Sequence, residues 1–379
     1  MPGTTARMIA RIAALTFGVS GLTAITEPPT AAAAPTVTRV ASNLTIPWDV
    51  TWIGTTMLIN ERSGRLWSLR PGGQPQRITL TLPRLHAKSE GGMLGMVADP
   101  WAAVTKTFYT CMSVANADSS PRDVQVWKWQ LSSPTSASKV RTLLTGIPIG
   151  TGRHNGCRLR VRAESRRVSR LYIGTGDAAQ GSNPQNLQSL GGKVLRINSD
   201  GSVPTGNPFV DRGGNAAYVY SYGHRNVQGL AVQPGTGKLW AVEHGSTRDD
   251  EVNTIERGAN YGWSPVPGYD ESVPMTDLTR FPDAEVARWS SGSPTVATSG
   301  ATFLTGSHWG AWNGYLAVAL LKGQGILLFQ PTPTGGLTLV TEIATNYGRI
   351  RTVQQGPDGA LYFTTSNGGG NDGVYKLTP

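Results

Sequence analysis

Long hydrophobic runs are scarce in this chain. Beyond the first thirty of its 379 residues no heptad-like apolar pattern appears, which argues against long helices and against membrane insertion. Cysteine is nearly absent too. The two present, Cys111 and Cys157, lie in the part of the chain expected to be exported, where a disulfide can persist, but spacing alone leaves their pairing open. Acidic residues run short of basic ones, 24 Asp and Glu against 34 Lys and Arg, for a formal charge of +10. Such a balance suits nucleic acid, an anionic wall or an anionic cofactor. The densest basic run, Arg158, Arg160, Arg162, Arg166, Arg167 and Arg170, lacks aromatic residues that could stack on bases. Arg158, Arg160 and Arg162 alternate with Leu159 and Val161, so a solvated strand face is expected there rather than a nucleic-acid surface.

One apolar segment does exist, from about Ile12 to Ile25, preceded by Arg7 and Arg11 and followed by Ala31-Ala32-Ala33. Its length and flanks read as a secretory signal rather than a membrane span, with cleavage expected after Ala33. Residues 1–33 would then be removed, leaving 34–379 as one secreted, extracellular or periplasmic domain. No cysteine lies near that junction, which argues against a lipid anchor. Losing Arg7, Arg11 and Glu27 leaves 32 basic and 23 acidic residues, a balance of +9.

What the chain has in quantity is punctuation: 47 Gly and 25 Pro bound short runs of Val, Ile, Thr, Tyr and Trp. A phrase recurs among them, in which a turn and a small or basic residue lead into Leu-Trp or Leu-Tyr. It stands at Gly64-Arg65-Leu66-Trp67, Ser169-Arg170-Leu171-Tyr172, Gly237-Lys238-Leu239-Trp240 and Gly359-Ala360-Leu361-Tyr362. Looser copies are Thr107-Phe108-Tyr109 and Asn313-Gly314-Tyr315-Leu316. One small sheet cannot cover both its faces, whereas sheets stacked in a ring bury one another. The expectation is an all-β fold, a six-bladed β-propeller with four-stranded antiparallel blades, in preference to a β-sandwich.

Five polar groupings carry possible chemistry. His154, in Arg153-His154-Asn155-Gly156, is a plausible proton acceptor or a structural histidine. Arg225 and Asn226, in Gly223-His224-Arg225-Asn226, offer donors for an oxyanion or satisfy a turn. The run Glu243-His244-Gly245-Ser246-Thr247-Arg248-Asp249-Asp250-Glu251 supplies hard oxygens that suit Ca²⁺, although EF-hand spacing is missing; surface acidity is the rival reading. Lys322 and the pair Arg349 and Arg351 lie near the C-terminus. Arg349 and Arg351 share a strand face, where like charges repel unless an anion separates them or water screens them.

Taken in order, these pieces resemble the soluble quinoprotein glucose and aldose sugar dehydrogenases. The resemblance runs from about Trp48 to the C-terminus, through Ile46-Pro47-Trp48-Asp49-Val50, Glu90-Gly91-Gly92-Met93-Leu94-Gly95, Gly174-Thr175-Gly176-Asp177, Gly192-Lys193-Val194-Leu195-Arg196 and Gln355-Gly356-Pro357-Asp358-Gly359. It implies a propeller that binds pyrroloquinoline quinone (PQQ) and Ca²⁺ and oxidises an aldose at its anomeric carbon to a lactone, delivering electrons to an acceptor the sequence leaves unknown. It also implies roles. His154 would be the general base, and Arg225 would stabilise charge on the quinone oxygen. Asn226, Lys322, Arg349 and Arg351 would contact a tricarboxylate cofactor, with Glu90 beside the site. Gly245 and Ser246 would offer carbonyls to the catalytic ion, and Glu251 and Tyr261 would lie near a second, structural Ca²⁺.

The chain departs from that pattern at three places. Arg153 stands where the glucose enzymes carry an acidic residue, and a cation there disfavours an imidazolium. Ser246 and Val227 each replace a proline. Trp309 and Trp312 are available to stack on a sugar ring. Two alternatives from other classes stay open: a non-catalytic ligand-binding propeller, and a Ca²⁺-dependent lactone hydrolase, which would need several carboxylates converging on the central channel.

Overall fold

Short strands bounded by glycine turns pair with their sequence neighbours, so each run of about four strands closes into its own small sheet. The computed structural model describes residues 35–165 and 168–379. The expected export signal, and Arg166 and Arg167 of the basic run, lie outside the described residues. There are six four-stranded antiparallel sheets. From the axis outward, blade 1 comprises Pro47–Ile53, Thr56–Glu61, Leu66–Leu69 and Gln76–Ile78; blade 2 Met93–Ala98, Thr107–Ala115, Pro121–Ser133 and Ser136–Ile147; blade 3 Gly156–Ala163, Ser169–Thr175, Lys193–Asn198 and Val219–Tyr222. Blade 4 comprises Val227–Val232, Leu239–Glu243, Glu251–Ile255 and Trp289–Ser290; blade 5 Thr298–Phe303, Leu316–Leu320, Ile326–Pro331 and Leu337–Ile343. Blade 6 takes Ile350–Gln355, Leu361–Thr365 and Asp372–Thr378 from the C-terminus, and its outermost strand, Thr36–Leu44, from the N-terminal end of the domain. That strand pairs from Thr36↔Thr378 to Leu44↔Asp372 and closes the ring. The expected six-bladed propeller is what forms.

Buried apolar residues fall into six clusters, one at each blade–blade interface: Leu159, Ile173 and Leu195 face blade 2, for instance, and Ala317, Ile326 and Leu328 face blade 6. The Leu-Trp phrase marks the second strand in five blades. In blade 1 it marks the third, because Thr56–Glu61 takes the second place without it. Cys111 and Cys157 form a disulfide with a Cα separation of 5.7 Å, joining blade 2 to the innermost strand of blade 3.

The solvated strand face expected for the arginines of blade 3 does not form. Arg158, Arg160 and Arg162 do alternate along the innermost strand of blade 3, but their face is not a solvated one. Arg158 is 0% exposed. Its guanidinium donates to Asp49 Oδ2 of blade 1 at 2.6 Å, to Thr352 Oγ1 of blade 6 at 3.2 Å and to the Gln228 carbonyl of blade 4 at 2.7 Å. Arg160 donates to Gln354 of blade 6 at 2.9 Å. Alternation sets the side of a strand, but the ring decides what that side meets, and here it meets other blades.

Candidate active site

Every innermost strand enters its blade from one end of the ring, so residues just before it, and just after the second strand, share one rim. Glu90, His154, Arg225 with Asn226, and Arg349 precede the innermost strands of blades 2, 3, 4 and 6, and Arg351 opens the last of these. Gly245 and Ser246 follow the second strand of blade 4, and Lys322 follows that of blade 5.

His154 sits in a left-handed backbone conformation, φ 52°, uncommon for a side-chain-bearing residue. Its N–H donates to Glu90 Oε2 at 2.9 Å, and its carbonyl lies so close to Gly176 that a Cβ there would collide with it. The residue is 4% exposed, with Nδ1 2.9 Å from Asp177 Oδ1 and 2.9 Å from the Tyr269 hydroxyl. Tyr269 donates to Asp177 Oδ2 at 2.7 Å, and the Trp263 indole N–H donates to the same oxygen at 2.8 Å. A carboxylate only accepts, so Nδ1 carries the proton and Nε2 keeps a lone pair able to take one.

The other predicted residues connect to this centre through short links. The backbone N–H of Asp177 donates to the Arg225 carbonyl at 2.8 Å, and the backbone N–H of Gly156 to Asn226 Oδ1 at 3.0 Å. Gln228 donates to Asn226 Oδ1 at 3.1 Å and accepts from Arg351 at 3.3 Å. Arg349 donates to the carbonyl of Leu321, beside Lys322, at 3.4 Å. Lys322 Nζ lies 3.4 Å from Thr295 Oγ1, and the Thr295 N–H meets the Thr247 carbonyl next to Ser246 at 3.4 Å. These bonds tie Arg225, Asn226 and Arg351 to the His154 side of the rim, and bring Arg349, Lys322 and the turn at Ser246 beside one another.

Burial, with Arg158 and Arg349 nearby, pulls the Arg351 guanidinium down to about 9, and its Nε is buried without a partner. Arg225 Nε is likewise buried and unpartnered. His244 is pulled down to about 4, by burial first and then by Arg351, Arg225 and His154, with Asp250 opposing, so it is neutral at ordinary pH.

The Gly245 turn is held by Asp250, whose Oδ1 accepts the Gly245 N–H at 2.8 Å while Oδ2 accepts from Val296 and Ala297 at 2.7 and 2.6 Å. The backbone of Arg248 and Asp249 crowds Gly245 so closely that no Cβ fits. Among the described residues nothing donates to the carbonyls of Gly245 or Ser246. Outward from this turn, Glu251, Asn253, Glu243 and His224 form a buried chain, with Tyr261 stacked on His224 at 4.4 Å. Burial and the nearby Glu243 push the Glu251 carboxyl up to about 8.

Trp309 and Trp312 are not at this rim. They follow the end of the innermost strand of blade 5, and Trp309 Nε1 donates to the Gly359 carbonyl at the opposite end of blade 6, so they cannot stack on a sugar beside His154. A cavity lined by Trp52, Met57, Leu69, Tyr362 and Lys376 also opens at that far end.

Several partners were not picked out from sequence. Asp177 was legible in principle, because a base histidine needs an orienting acceptor and Gly174-Thr175-Gly176-Asp177 ends a strand beside it. Tyr269 and Glu271 come from an irregular stretch of blade 4 with no periodicity to read.

Fold and rim together define a six-bladed propeller with an oriented imidazole, and with buried, unpartnered N–H groups of Arg225 and Arg351, at one mouth of the ring. The family model described as Glucose / Sorbosone dehydrogenase matches residues 44–376, and the chain belongs to that family. It is 30% identical over 344 residues to the aldose sugar dehydrogenase YliI of Escherichia coli, covering 88% of this chain and 90% of that one. It also matches the solved apo-form of the soluble aldose sugar dehydrogenase from E. coli at TM-score 0.81 and 28% identity, covering 91% of this chain and 100% of that one. The PQQ-bound form of the aldose sugar dehydrogenase from Streptomyces coelicolor matches at TM-score 0.70 and 26% identity, covering 91% and 98%.

Proposed function

We propose that the chain is an exported aldose sugar dehydrogenase that uses PQQ and Ca²⁺ at this rim and passes electrons to an external acceptor. One observation carries the reading: His154 is fixed by Asp177 as a proton acceptor within the network that gathers Arg225, Asn226 and Arg351. The named relatives support the substrate class, and the PQQ-bound neighbour supports the cofactor.

The residues present fit both groups. Arg351 and Arg225 each keep a buried N–H without a partner, which a polycarboxylate quinone would satisfy. The free carbonyls of Gly245 and Ser246 suit a hard cation, as does the buried Glu251 with the unpartnered Asn253 Oδ1 beside it. When bound, the quinone would supply the two-electron oxidant and the ion a Lewis acid. In this reading His154 Nε2 takes the proton of the anomeric hydroxyl, Asp177 steadies the resulting imidazolium, and Arg225 holds negative charge as it develops. Arg349, Arg351, Lys322 and Asn226 orient the cofactor.

A lactone hydrolase is less well supported. Asp250 is spent on three backbone N–H groups, Asp249 pairs with Arg248, and Glu251 binds Asn253, so these carboxylates do not converge on the channel. The test is an absorption titration of the purified chain with PQQ, with and without Ca²⁺, followed by dye reduction with several aldoses. The expected result is Ca²⁺-dependent PQQ uptake and aldose turnover, with His154→Ala keeping uptake and losing turnover. Uptake with no turnover on any aldose would leave a binding propeller, and lactone cleavage without quinone would displace the reading.

A further inference from the structure

The stretch between the third and fourth strands of blade 4, residues 256–288, crosses the rim and touches two side chains to which the reading above gives roles. Tyr269 reaches the His154–Asp177 pair. Two residues further on, Glu271 Oε1 accepts from Arg225 Nη2 at 2.5 Å. The rest of that guanidinium is poorly served: Nη1 meets the His244 carbonyl at 3.3 Å, and Nε has no partner. Glu271 is thus the close counter-charge of an arginine only 5% exposed, while itself being 36% exposed. Arg153, half exposed, stands 3.7 Å from the same carboxylate oxygen. One carboxylate lies between two arginines, gripped by the inner and loosely met by the outer.

We propose that Glu271 is a displaceable internal ligand of Arg225, which an incoming anionic cofactor removes and Arg153 receives. The inference rests on the proposed role of Arg225 toward the quinone. A cofactor oxygen that needs Arg225 competes with Glu271 for the same N–H donor, so the empty site is held closed to weak anions. On displacement the carboxylate exchanges one guanidinium for another and is not left unpaired, which keeps the exchange cheap. An acidic residue at position 153 would repel Glu271 instead of receiving it, so the chain's departure at Arg153 acquires a task.

The experiment is a PQQ titration, in the presence of Ca²⁺, of the cofactor-free full chain and two variants. Glu271→Gln removes the competing charge; Glu271→Asp keeps the charge but falls one methylene short of Arg225. The pair is partly solvent-screened, so both should bind PQQ about three- to tenfold more tightly than the parent. Equal or weaker binding by both overturns the inference, because Glu271 would then be holding Arg225 ready for the ligand. Tightening by Glu271→Gln alone overturns it too, since that is a plain field effect. Uptake by the variants but not the parent supports a fully closed latch. If none of the three takes up PQQ, the assigned cofactor fails and the inference falls with it, a result distinct from uptake without tightening.

Discussion

At the residue scale, Asp177 decides what His154 can do. With Nδ1 held 2.9 Å from a carboxylate, only Nε2 is free to accept a proton. Asp177→Asn keeps the shape but can present an amide donor to Nδ1, which favours the opposite tautomer. Turnover should fall roughly 10²- to 10⁴-fold with PQQ uptake retained, measured by dye reduction and by titration; a loss of less than about tenfold would show that something else fixes the ring. Arg351 gives a pH prediction. Its guanidinium is pulled down to about 9 by burial and by Arg158 and Arg349, so it holds its proton less firmly than an exposed arginine does. Affinity for an anionic cofactor should therefore weaken on the alkaline side, as pH rises toward about 9. Arg351→Met should weaken binding at neutral pH and remove that limb; an unchanged alkaline fall in the variant would assign it elsewhere. His154, Arg225 and Arg351 were readable because each sits in a turn or strand start dense with polar residues. Asp177, Tyr269 and Glu271 act through spatial neighbours that no local pattern links to them.

At the scale of elements, strand positions were legible because period-two runs stop at glycine and proline, but what each strand face would meet was not. The arginines of blade 3 show why: their alternation is correct, yet the face is closed by blades 1, 4 and 6. Lys193 makes the same point in the third strand of that blade. It is fully buried, burial pulls its ammonium down to about 7, and Nζ donates to the carbonyls of Asn183, Pro184 and Gly191 at 2.6, 3.0 and 2.7 Å. Those bonds gather the loop that follows Asp177, since Asn183 Nδ2 also donates to the Asp177 carbonyl at 2.8 Å. Lys193→Met fills the same space without donors. It should cost roughly 2–4 kcal/mol in denaturant unfolding, the price of buried carbonyls left short of partners. Turnover should fall further than global stability explains, because the loop carries Asp177. A variant as stable as the parent would mean that water replaces the ammonium.

At the scale of the whole molecule, the count of six blades followed from repetition, since one repeated phrase per blade is a property of the sequence. Ring closure did not follow, because Thr36–Leu44 belongs to blade 6 although it begins the domain. Closure matters for function because the rim is assembled from blades on both sides of the seam: Arg349 and Arg351 enter from blade 6, and Arg158, just behind them, is held by Asp49 of blade 1. A chain lacking Thr36–Leu44 would leave the Asp372–Thr378 strand as an open edge and uncover the cluster containing Ala41 and Leu44. Losing the buried Leu44 side chain alone forfeits about 2 kcal/mol, before the ladder hydrogen bonds are counted. The truncated chain should melt at lower temperature and self-associate through its exposed edge, seen by calorimetry and size exclusion. A synthetic peptide spanning residues 35–44 should restore the melting temperature and return the protein to its parental size. If the truncation melts like the parent, the blades hold the ring through their faces alone, and the terminal strand contributes only to solubility.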